Sequence, residues 1–521
     1  MAAARARRRI RHARRAATRA RPRRHHEPRS ALAAAMSSHV LAIDEGGTGV
    51  RAYVFDHDGR EIATAYAEIG LSYPRPGWVE HDPLAIWERT LSVTRTAVEH
   101  AAIPTSALAA IGVANQRASA LVWDAASGLP IYPAIGWQDL RTVARCEELG
   151  RRGYIVHPLQ SATKFAWILE HVPDARARAA AGTLRLGTID SWISWKLSGG
   201  ACHVTDASNA SCTGIYDFFA NRWDEALLDA LELPAACLPT IAPTSATCGT
   251  SDADLLGARV PLAARAGDQQ AAMFGQLCTE PGMMKITYGT AAMMDVNVGP
   301  SLRLSPHGAF PLVLWGLEDG VTYCLEGSAV TAGAAVQWLR DGLGIVHDAA
   351  ESETLATSIA DSGGVWCVPA LQGLGTPYLD ASARALIGGI SRGTGRAEIA
   401  RAVLEGIAFR CAEVIEALRA DSPNAAIDVL RVDGGASQND FLMQCQADAT
   451  GLVIERPVVV DAATLGAAYL AGLATGFWRD RGEVARTWQR ERLFEPRTTS
   501  DERASAMAKW KKRVALARGE A

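Results

Sequence analysis

A short glycine-rich turn between two apolar segments places the strongest constraint on how this chain can fold. Val40–Ile43 is an apolar run that ends at Asp44, and after the turn Glu45–Gly49 the segment Val50–Phe55 roughly alternates in polarity. This pattern predicts two β-strands joined by a tight turn, followed by a third extended segment over Arg60–Ala67. A Walker phosphate loop and a Rossmann fingerprint both need a helix after the glycines, so neither fits here. Successive glycines in a hairpin turn can still bind phosphate through converging backbone N–H groups.

The length and composition predict a folded chain with more than one domain. At 521 residues the chain exceeds what a single hydrophobic core normally supports, which predicts two domains with a ligand cleft between them. Hydrophobic residues make up 48% of the sequence, and no apolar run is long enough to cross a bilayer, so we predict no membrane span. Ten cysteines are scattered singly without the spacing of a metal site, which indicates buried thiols and a cytoplasmic location.

Charge is distributed unevenly along the chain. Residues 1–35 contain twelve arginines and one acid, whereas the remainder contains 41 basic and 55 acidic residues. An acidic body argues against nucleic acid as a partner, because such a partner would need basic residues gathered on the folded surface. We predict that residues 1–38 form a disordered Arg/Ala-rich leader. An upstream extension before Met36, an organelle transit peptide and a nucleic-acid tail are the alternatives.

A second acid follows an apolar stretch near the middle of the chain. Val260–Ala263 leads into Ala266–Gln270, which contains Asp268. The repeated order of strand, acid and compact turn indicates two related domains, each opening with a turn that faces the other across the cleft. Asp44 and Asp268 would then both project towards bound phosphates.

Three further stretches combine glycine with polar groups. Tyr288–Thr290 offers a hydroxyl and backbone donors at a predicted strand end, and Gly327–Gln337 is predicted to begin a helix of small residues. Arg431–Asn439 ends a strand in two glycines and starts a helix with polar residues, which suits a nucleotide base or ribose. Taken singly, each stretch is explained equally well by close packing of backbone against backbone.

Blocks of sequence that occur together in one kinase family are spread along most of the chain. They are Tyr73–Pro83, Asn115–Arg117, Thr163–Lys164 with Trp167–Leu169, Val204–Asp206 with Asn209–Ser211, Ala266–Gln270, Gln337–Asp341, Gly373–Gly375, Val432–Gly435 and Leu465–Tyr469. In this order they resemble the FGGY carbohydrate kinases of the glycerol kinase type, over essentially residues 39–495. The resemblance implies an α/β fold of two actin-like, ribonuclease-H-like ATPase domains with a cleft between them. We expect an N-terminal domain at 39–257, a C-terminal domain at 258–495 and a helix or tail at 496–521.

The same resemblance implies the reaction and the roles of several residues. The expected activity is ATP-dependent phosphorylation of a hydroxyl on a small polyol or sugar, with Asp268 as the general base that accepts the hydroxyl proton. Gly46, Gly47 and Thr48 would hold the phosphates, and Asp44 and Asp268 would hold Mg²⁺. The residues implied to contact the rest of the nucleotide are Thr290, Gly333, Gln337, Gly435 and Asn439.

The substrate positions implied by the resemblance include several departures from glycerol kinases. These positions are Arg117, Ala118, Trp137, Leu159, Asp268, Gln269 and Met293. Glycerol kinases have glutamate, tyrosine and phenylalanine where this chain has Ala118, Leu159 and Met293. Alanine cannot accept a hydrogen bond from a polyol hydroxyl, and the two other side chains are less rigid than aromatic rings. We therefore predict an altered substrate pocket that disfavours glycerol as the preferred acceptor; the alternative is glycerol activity kept at lower efficiency.

Two other classes of protein share this kind of fold. An inactive actin-like regulator that binds sugar or ATP would be favoured by loss of the catalytic acid, but Asp44, Thr48, Asp268 and Thr290 are all present. An actin-like or chaperone-like ATPase would need a peptide-binding extension, and the sequence contains none beyond the leader. Kinases of this type often form homodimers or homotetramers, and the sequence does not distinguish these two states.

Overall fold

The structure, a computed structural model, describes residues 38–423 and 427–520. The predicted disordered leader lies outside the described residues, apart from Ser38. In the described part of the chain, no helix is long and apolar enough to span a membrane. All ten cysteines are free thiols, but Cys248 and Cys445 are only half-buried, against the expectation of ten buried thiols.

Two large mixed sheets form the centre of the described fold. The strands of the first sheet, in spatial order, are Ser245–Thr250, Pro261–Gly267, Leu108–Asn115, His39–Glu45, Gly49–Phe55 and Glu61–Glu68. Those of the second sheet are Phe310–Leu317, Gly320–Ala329, Ala292–Gly299, Met284–Tyr288, Val429–Asp433, Val453–Pro457 and Arg490–Phe494. Smaller sheets are Leu71–Ser72 with Glu80–His81 and Ala134–Ile135, Leu121–Asp124 with Leu184–Gly187, Val204–Asp206 with Thr240–Ala242, Tyr216–Asp217 with Arg222–Trp223, and Trp366–Val368 with Leu386–Gly388.

Helices connect these strands, and local sequence explains where several of them begin. Asp82 caps the helix that starts at Pro83 by accepting a hydrogen bond from Leu84 N, and Thr499 and Glu502 form a capping box at Ser500. The α-helices of the described residues are Pro83–His100, Val143–Arg151, Ala162–His171, Ala175–Ala180, Ile189–Leu197, Ala207–Ser211, Glu225–Leu231, Ala253–Leu256, Asp268–Gly275, Gly333–Gln337, Ala349–Thr357, Arg396–Asp421, Asp440–Thr450, Ala462–Thr475, Arg481–Thr487 and Ser500–Ala517. Shorter 3₁₀ or π turns are Thr105–Ala107, Ala235–Cys237, Trp338–Gly342 and Gly435–Gln438.

The two large sheets repeat one core topology. In the first sheet, His39–Glu45 pairs antiparallel with Gly49–Phe55 and parallel with Leu108–Asn115. In the second sheet, Met284–Tyr288 pairs antiparallel with Ala292–Gly299 and parallel with Val429–Asp433. Each sheet thus begins with a hairpin and continues with parallel strands on the other side of its first strand. This repeat confirms the prediction of two related α/β domains.

The strand that precedes Asp268 belongs to the first sheet, so the expectation that it opens the second domain is wrong. Pro261–Gly267 pairs parallel with Leu108–Asn115 and is a late strand of the first sheet. The turn that corresponds to Glu45–Gly49 is instead the one after Tyr288, in the first hairpin of the second sheet. Asp44 and Asp268 therefore do not occupy equivalent positions. The limits of the two domains at residues 257 and 258 stay a prediction.

The helix predicted from Gly327 is shorter than expected. Gly327 lies within the strand Gly320–Ala329, and the helix begins only at Gly333. Small residues suit both conformations here because the strand packs closely against a helix. A Cβ at position 327 would lie 2.5 Å from the Val414 side chain.

Glycines allow the helix that begins at Asp268 to pack very closely on its neighbour. A Cβ at Gly466 would lie 1.8 Å from Ala271 O, and one at Gly275 would lie 2.1 Å from Ala462 O. The neighbouring helix Ala462–Thr475 also packs on the first sheet, where a Cβ at Gly112 would lie 2.2 Å from Ala467 O. This close packing fixes the position of Asp268 relative to the first sheet.

Candidate active site

Asp268 lies at the start of a helix, immediately after a strand of the first sheet. Its carboxylate lies 3.1 Å from Arg117 Nε and accepts a hydrogen bond from Gln269 N at 2.8 Å. Its side chain is 32% exposed, so it is held in place and still accessible to a ligand. A Cβ at Gly267 would lie 2.6 Å from Arg117 Cδ, so glycine is needed for this close approach. The position at a helix N-terminus also stabilises the carboxylate.

Arg117 bridges the two large sheets through a second carboxylate, Glu326. Arg117 follows the strand Leu108–Asn115 of the first sheet, whereas Glu326 lies within a strand of the second. Arg117 Nη1 is 2.7 Å from Glu326 Oε2, and both side chains are largely buried. Burial raises the pKa of Glu326 to about 7, in opposition to the attraction of Arg117. Arg117 therefore sets the distance between Asp268 and the second sheet.

A row of charged residues continues from Glu326 across the second sheet. Glu326 pairs in register with Asp295, which pairs in register with Lys285. Lys285 Nζ lies 3.0 Å from Asp295 Oδ2, donates to Thr287 Oγ1 at 2.8 Å and also donates to Gln269 Oε1. A buried ammonium group thus holds Gln269 beside Asp268, and the role of Gln269 towards the acceptor stays a prediction.

Two buried carboxylates with unpaired oxygens end the strand that leads into the glycine turn. Among the described residues, Asp44 Oδ1 and Glu45 Oε2 have no hydrogen-bond partner. Burial, and then the charge of Asp268, raise the pKa of Asp44 to about 7, and burial raises the pKa of Glu45 well above its usual range. Arg51 lies 3.8 Å from Asp44 and offsets this only in part.

These oxygens fit a hard divalent cation. Carboxylate oxygens are the ligands that Mg²⁺ prefers, and a cation would relieve the repulsion between Asp44 and Asp268. In the part of the chain that the structure describes, no three His, Cys, Asp or Glu residues form a metal cluster. An ion here would therefore complete its coordination with water or phosphate oxygens.

The turn itself leaves its backbone open to a ligand. Gly46 and Gly47 are half-buried, and Thr48 is exposed. A Cβ would meet only Gly49 O at 3.4 Å from position 46 and Gln116 Oε1 at 3.9 Å from position 47. Packing within the protein therefore does not demand glycine at these two positions. The two glycines are better explained by the need to leave space for an anion beside the backbone N–H groups.

The residues predicted to bind the nucleotide gather at the corresponding end of the second sheet. Gly333 N donates to Gly289 O at 3.0 Å, and Ala334 N donates to Thr290 O at 3.1 Å, so the turn at Thr290 and the short helix lie together. Gly434 has φ +82° and would place a Cβ 2.6 Å from Tyr288 O, which brings Gly435 to the same place.

The remaining nucleotide candidates lie on elements next to this turn. Thr290, Gln337 and Gly435 are exposed, and no heavy atom of the described residues lies within 4 Å of a Cβ built at Gly435. Asn439 is half-buried and uses its Oδ1 to accept from Leu442 N at 2.9 Å, as a helix cap. Only the side-chain NH₂ group of Asn439 remains to donate to a ligand, and this group also donates to Ser352 Oγ at 3.3 Å.

Trp137 is connected to the glycine turn by a chain of hydrogen bonds. Trp137 N donates to Ser119 Oγ at 3.2 Å, Ser119 Oγ donates to Gln116 Oε1 at 3.0 Å, and Gln116 N donates to Glu45 O at 2.6 Å. Buried Lys164 donates to Trp137 O at 3.0 Å. The Trp137 side chain itself is exposed, and its contact with an acceptor stays a prediction.

The three positions predicted to depart from glycerol kinases lie in different local settings. Ala118 is buried and has φ +62°, a left-handed conformation that is unusual for alanine. Leu159 is half-buried in a loop beside His157, and half-buried Met293 lies in a strand between Thr287 and Ser328. The place of all three in a polyol site stays a prediction.

Sequence reasoning missed Lys285, Asp295 and Glu326. Each is the single charged residue of its strand, and all three are buried. A charge in such a strand is costly unless it is paired, and this signal could have marked the three as partners. Only the register of the second sheet shows that they pair with one another.

Comparisons with known proteins cover most of the chain. The N-terminal domain model of the FGGY family of carbohydrate kinases matches residues 39–275, and the C-terminal domain model matches residues 284–475. Glycerol kinase of Petrotoga mobilis is 48% identical over 493 residues, which cover 93% of this chain and 99% of that protein. Glycerol kinase 2 of Thermotoga maritima is 48% identical over 491 residues, which cover 92% and 99%.

Solved structures agree with the fold. The glycerol kinase of Plasmodium falciparum with ADP has a TM-score of 0.85 at 28% identity and covers 92% of this chain and 98% of its own. A xylulose kinase of Lactobacillus acidophilus has a TM-score of 0.79 at 21% identity and covers 92% and 98%, which supports the fold alone. The predicted actin-like fold and ATP-dependent, glycerol-kinase-like class are thereby confirmed. The chain belongs to the FGGY family of carbohydrate kinases.

Proposed function

We propose that this kinase transfers the terminal phosphoryl group of ATP to a hydroxyl of a small polyol or sugar, with Asp268 as the general base. The observation that carries the proposal is the accessible Asp268 carboxylate, oriented by Arg117 at 3.1 Å. The acceptor O–H proton passes to Asp268, the acceptor oxygen bonds to the γ-phosphorus, and the bond to ADP breaks. Such transfers depend mainly on positioning and on charge neutralisation.

The glycine turn and the end of the second sheet are the proposed nucleotide site. The open backbone at Gly46 and Gly47, with Thr48, supports phosphate binding, and the cluster of Thr290, Gly333 and Gly435 supports binding of the rest of ATP. Exposed Gln337 and the amide of Asn439 lie on adjoining elements. Mg²⁺ held by Asp44 and Asp268 would neutralise phosphate charge when bound.

The proposed acceptor pocket contains Arg117, Trp137, Asp268 and Gln269, and it lacks the carboxylate of glycerol kinases at Ala118. A buried ligand hydroxyl without an acceptor loses about 1–3 kcal/mol, equivalent to about 5- to 150-fold in kcat/KM. The smaller or more flexible Ala118, Leu159 and Met293 leave room for a longer polyol or a sugar. We therefore propose that a tetritol, pentitol or ketopentose is preferred over glycerol.

The location and assembly proposed for this kinase are those expected from the sequence. Ten free thiols support a reducing, cytoplasmic compartment. A homodimer or homotetramer is proposed on family grounds, and sedimentation of the full chain distinguishes the two.

A panel of acceptors tests the proposed function. ADP release is followed with ATP, Mg²⁺ and glycerol, tetritols, pentitols or ketopentoses. We expect stimulation by at least one acceptor and a higher kcat/KM for a longer acceptor than for glycerol. No stimulation by any member would contradict the kinase proposal. The highest kcat/KM for glycerol would contradict the pocket proposal alone.

The variant Ala118→Glu tests the pocket directly. It restores the missing carboxylate, so kcat/KM for glycerol should rise by about tenfold, in line with one added hydrogen bond to a charged group. Ala118→Gln, of similar size and without the charge, is the matched control and should give a smaller rise. An unchanged value in Ala118→Glu would show that position 118 does not face the acceptor.

A further inference from the structure

Two cysteines lie side by side away from the proposed active site. Cys202 follows the helix Ile189–Leu197, and Cys248 lies in Ser245–Thr250, an edge strand of the first sheet. Cys202 Sγ donates to Cys248 O at 3.1 Å, and Cys248 Sγ donates to Leu262 O at 3.4 Å. A Cβ at Gly249 would lie 2.5 Å from Cys202 Sγ, so the sulfur sits directly against the strand backbone. The two cysteines are therefore neighbours, with Cys202 Sγ against the backbone of the strand that carries Cys248.

Among the residues that the structure describes, a buried arginine beside these thiols has no acidic partner. The Arg265 side chain is almost fully buried, at 1% exposure, and its Nη2 donates to Ala246 O at 2.8 Å. Its Nη1 has no hydrogen-bond partner among the described residues. A buried guanidinium without a counter-charge is costly, and a thiolate at Cys202 would supply one. Arg265 is thus a reason for this pair to react where isolated buried thiols do not.

The two thiols differ in acidity and exposure. The hydrogen bond from Cys248, followed by Ser198 and Arg265, lowers the pKa of Cys202 to about 6 against the effect of burial. The same bond, together with burial, raises the pKa of Cys248. Cys202 is buried, whereas Cys248 is half-buried on an edge strand of the first sheet, so the pair lies next to a partly exposed edge.

We propose that Cys202 and Cys248 form a hydroperoxide-reactive dithiol. The Cys202 thiolate attacks one peroxide oxygen, the O–O bond breaks and a sulfenic acid forms, while hydroxide or alkoxide leaves. The Cys248 thiol then attacks the Cys202 sulfur, an S–S bond forms and water leaves. Overall, two thiols are oxidised to one disulfide and one hydroperoxide is reduced to water or to an alcohol and water. This site does not depend on the identity of the kinase substrate.

Peptide mapping of the native full chain tests the proposal. The protein is treated with one equivalent of hydrogen peroxide, alkylated and digested with trypsin without reduction. We expect a cross-link between peptides 197–222 and 223–259 that is two hydrogen atoms lighter than the sum of the reduced peptides. These peptides also contain Cys212 and Cys237, so fragmentation must locate the bond at Cys202 and Cys248. Absence of the cross-link, or a bond at Cys212 or Cys237, overturns the proposal.

Variants separate the roles within the pair. Cys202→Ser and Cys248→Ser should each abolish the cross-link, whereas the matched control Cys237→Ser, a buried thiol on the same peptide as Cys248, should retain it. Arg265→Met should slow peroxide consumption by about tenfold, because the thiolate loses its counter-charge. An unchanged rate in Arg265→Met would overturn the role of the arginine. Mapping of the wild type by fragmentation decides the main proposal even where a variant fails to fold.

Discussion

Replacement of Glu326 by glutamine removes a charge that holds Arg117 while it keeps the shape of the side chain. At 2.7 Å and an effective dielectric constant of about 20, opposite unit charges attract by about 6 kcal/mol. Desolvation offsets much of this attraction in the intact pair, but the loss of one partner leaves the buried charge uncompensated, at a cost of about 3–5 kcal/mol. Glutamine can still accept one hydrogen bond, which reduces this cost.

The expected kinetic effect follows from the position of Arg117 between Glu326 and Asp268. If about 2 kcal/mol of the lost interaction is expressed in the transition state, kcat falls about 30-fold. The KM for ATP should change little, because Arg117 lies on the acceptor side of the proposed site. The assay is steady-state ADP release with the best acceptor at about pH 8, above the pKa of Glu326, with ATP and acceptor concentrations varied.

A matched control and a double-mutant cycle make this prediction specific. Glu318→Gln makes the same chemical change at an exposed position near the same strand and should leave kcat unchanged. If Glu326 acts through Arg117, the effects of Glu326→Gln and Arg117→Lys should not add. A kcat within twofold of the wild type for Glu326→Gln, or additive effects of the two changes, would refute the reasoning.

Three other predictions address the base, a buried lysine and the helix packing. Asp268→Asn should lower kcat by about 10²- to 10⁴-fold because the proton acceptor is lost, with the affinity for ADP unchanged by calorimetry without Mg²⁺; retained turnover would identify another base. Burial lowers the pKa of Lys164 from 10.5 to about 7. Between pH 7 and pH 10.5 the unfolded chain therefore binds more protons than the folded one. The contribution of Lys164 to the free energy of unfolding then rises with pH, by up to about 1.4 kcal/mol per pH unit. Lys164→Met should remove this rise in urea unfolding at pH 7 and pH 9, and an unchanged pH dependence would contradict it. Gly466→Ala should destabilise the protein by about 1–3 kcal/mol or more and lower kcat, because its Cβ would lie 1.8 Å from Ala271 O. The control Gly150→Ala, in open space on a helix, should be neutral or stabilising in the same thermal unfolding measurement.

The parts of the site that depend on short stretches of sequence could be predicted. The hairpin around Glu45–Gly49 was recognisable because turn chemistry and strand alternation act over a few residues. The stretches that contain Thr290, Gly333 and Gly435 combine glycine with polar groups, but only the resemblance joins them in one nucleotide site, and the structure brings them together. Their roles in binding ATP stay predictions.

The ion pairs could not be predicted, because they join residues far apart in the chain. Arg117 and Glu326 are separated by more than 200 residues, and Lys285, Asp295 and Glu326 meet only through the register of three strands. Register is decided by the burial of whole faces rather than by the local sequence. Their partners therefore appear only in the folded structure.

The sequence by itself determined the family, the first hairpin and the acid Asp268, because each rests on a local motif or on an ordered set of motifs. Tertiary structure decided that the strand before Asp268 belongs to the first sheet, that Asp44 and Asp268 are not equivalent, and that Arg117 connects Asp268 to the second sheet. Strand pairing and charge compensation depend on which distant groups meet in a low-dielectric interior, and a linear pattern does not contain that information.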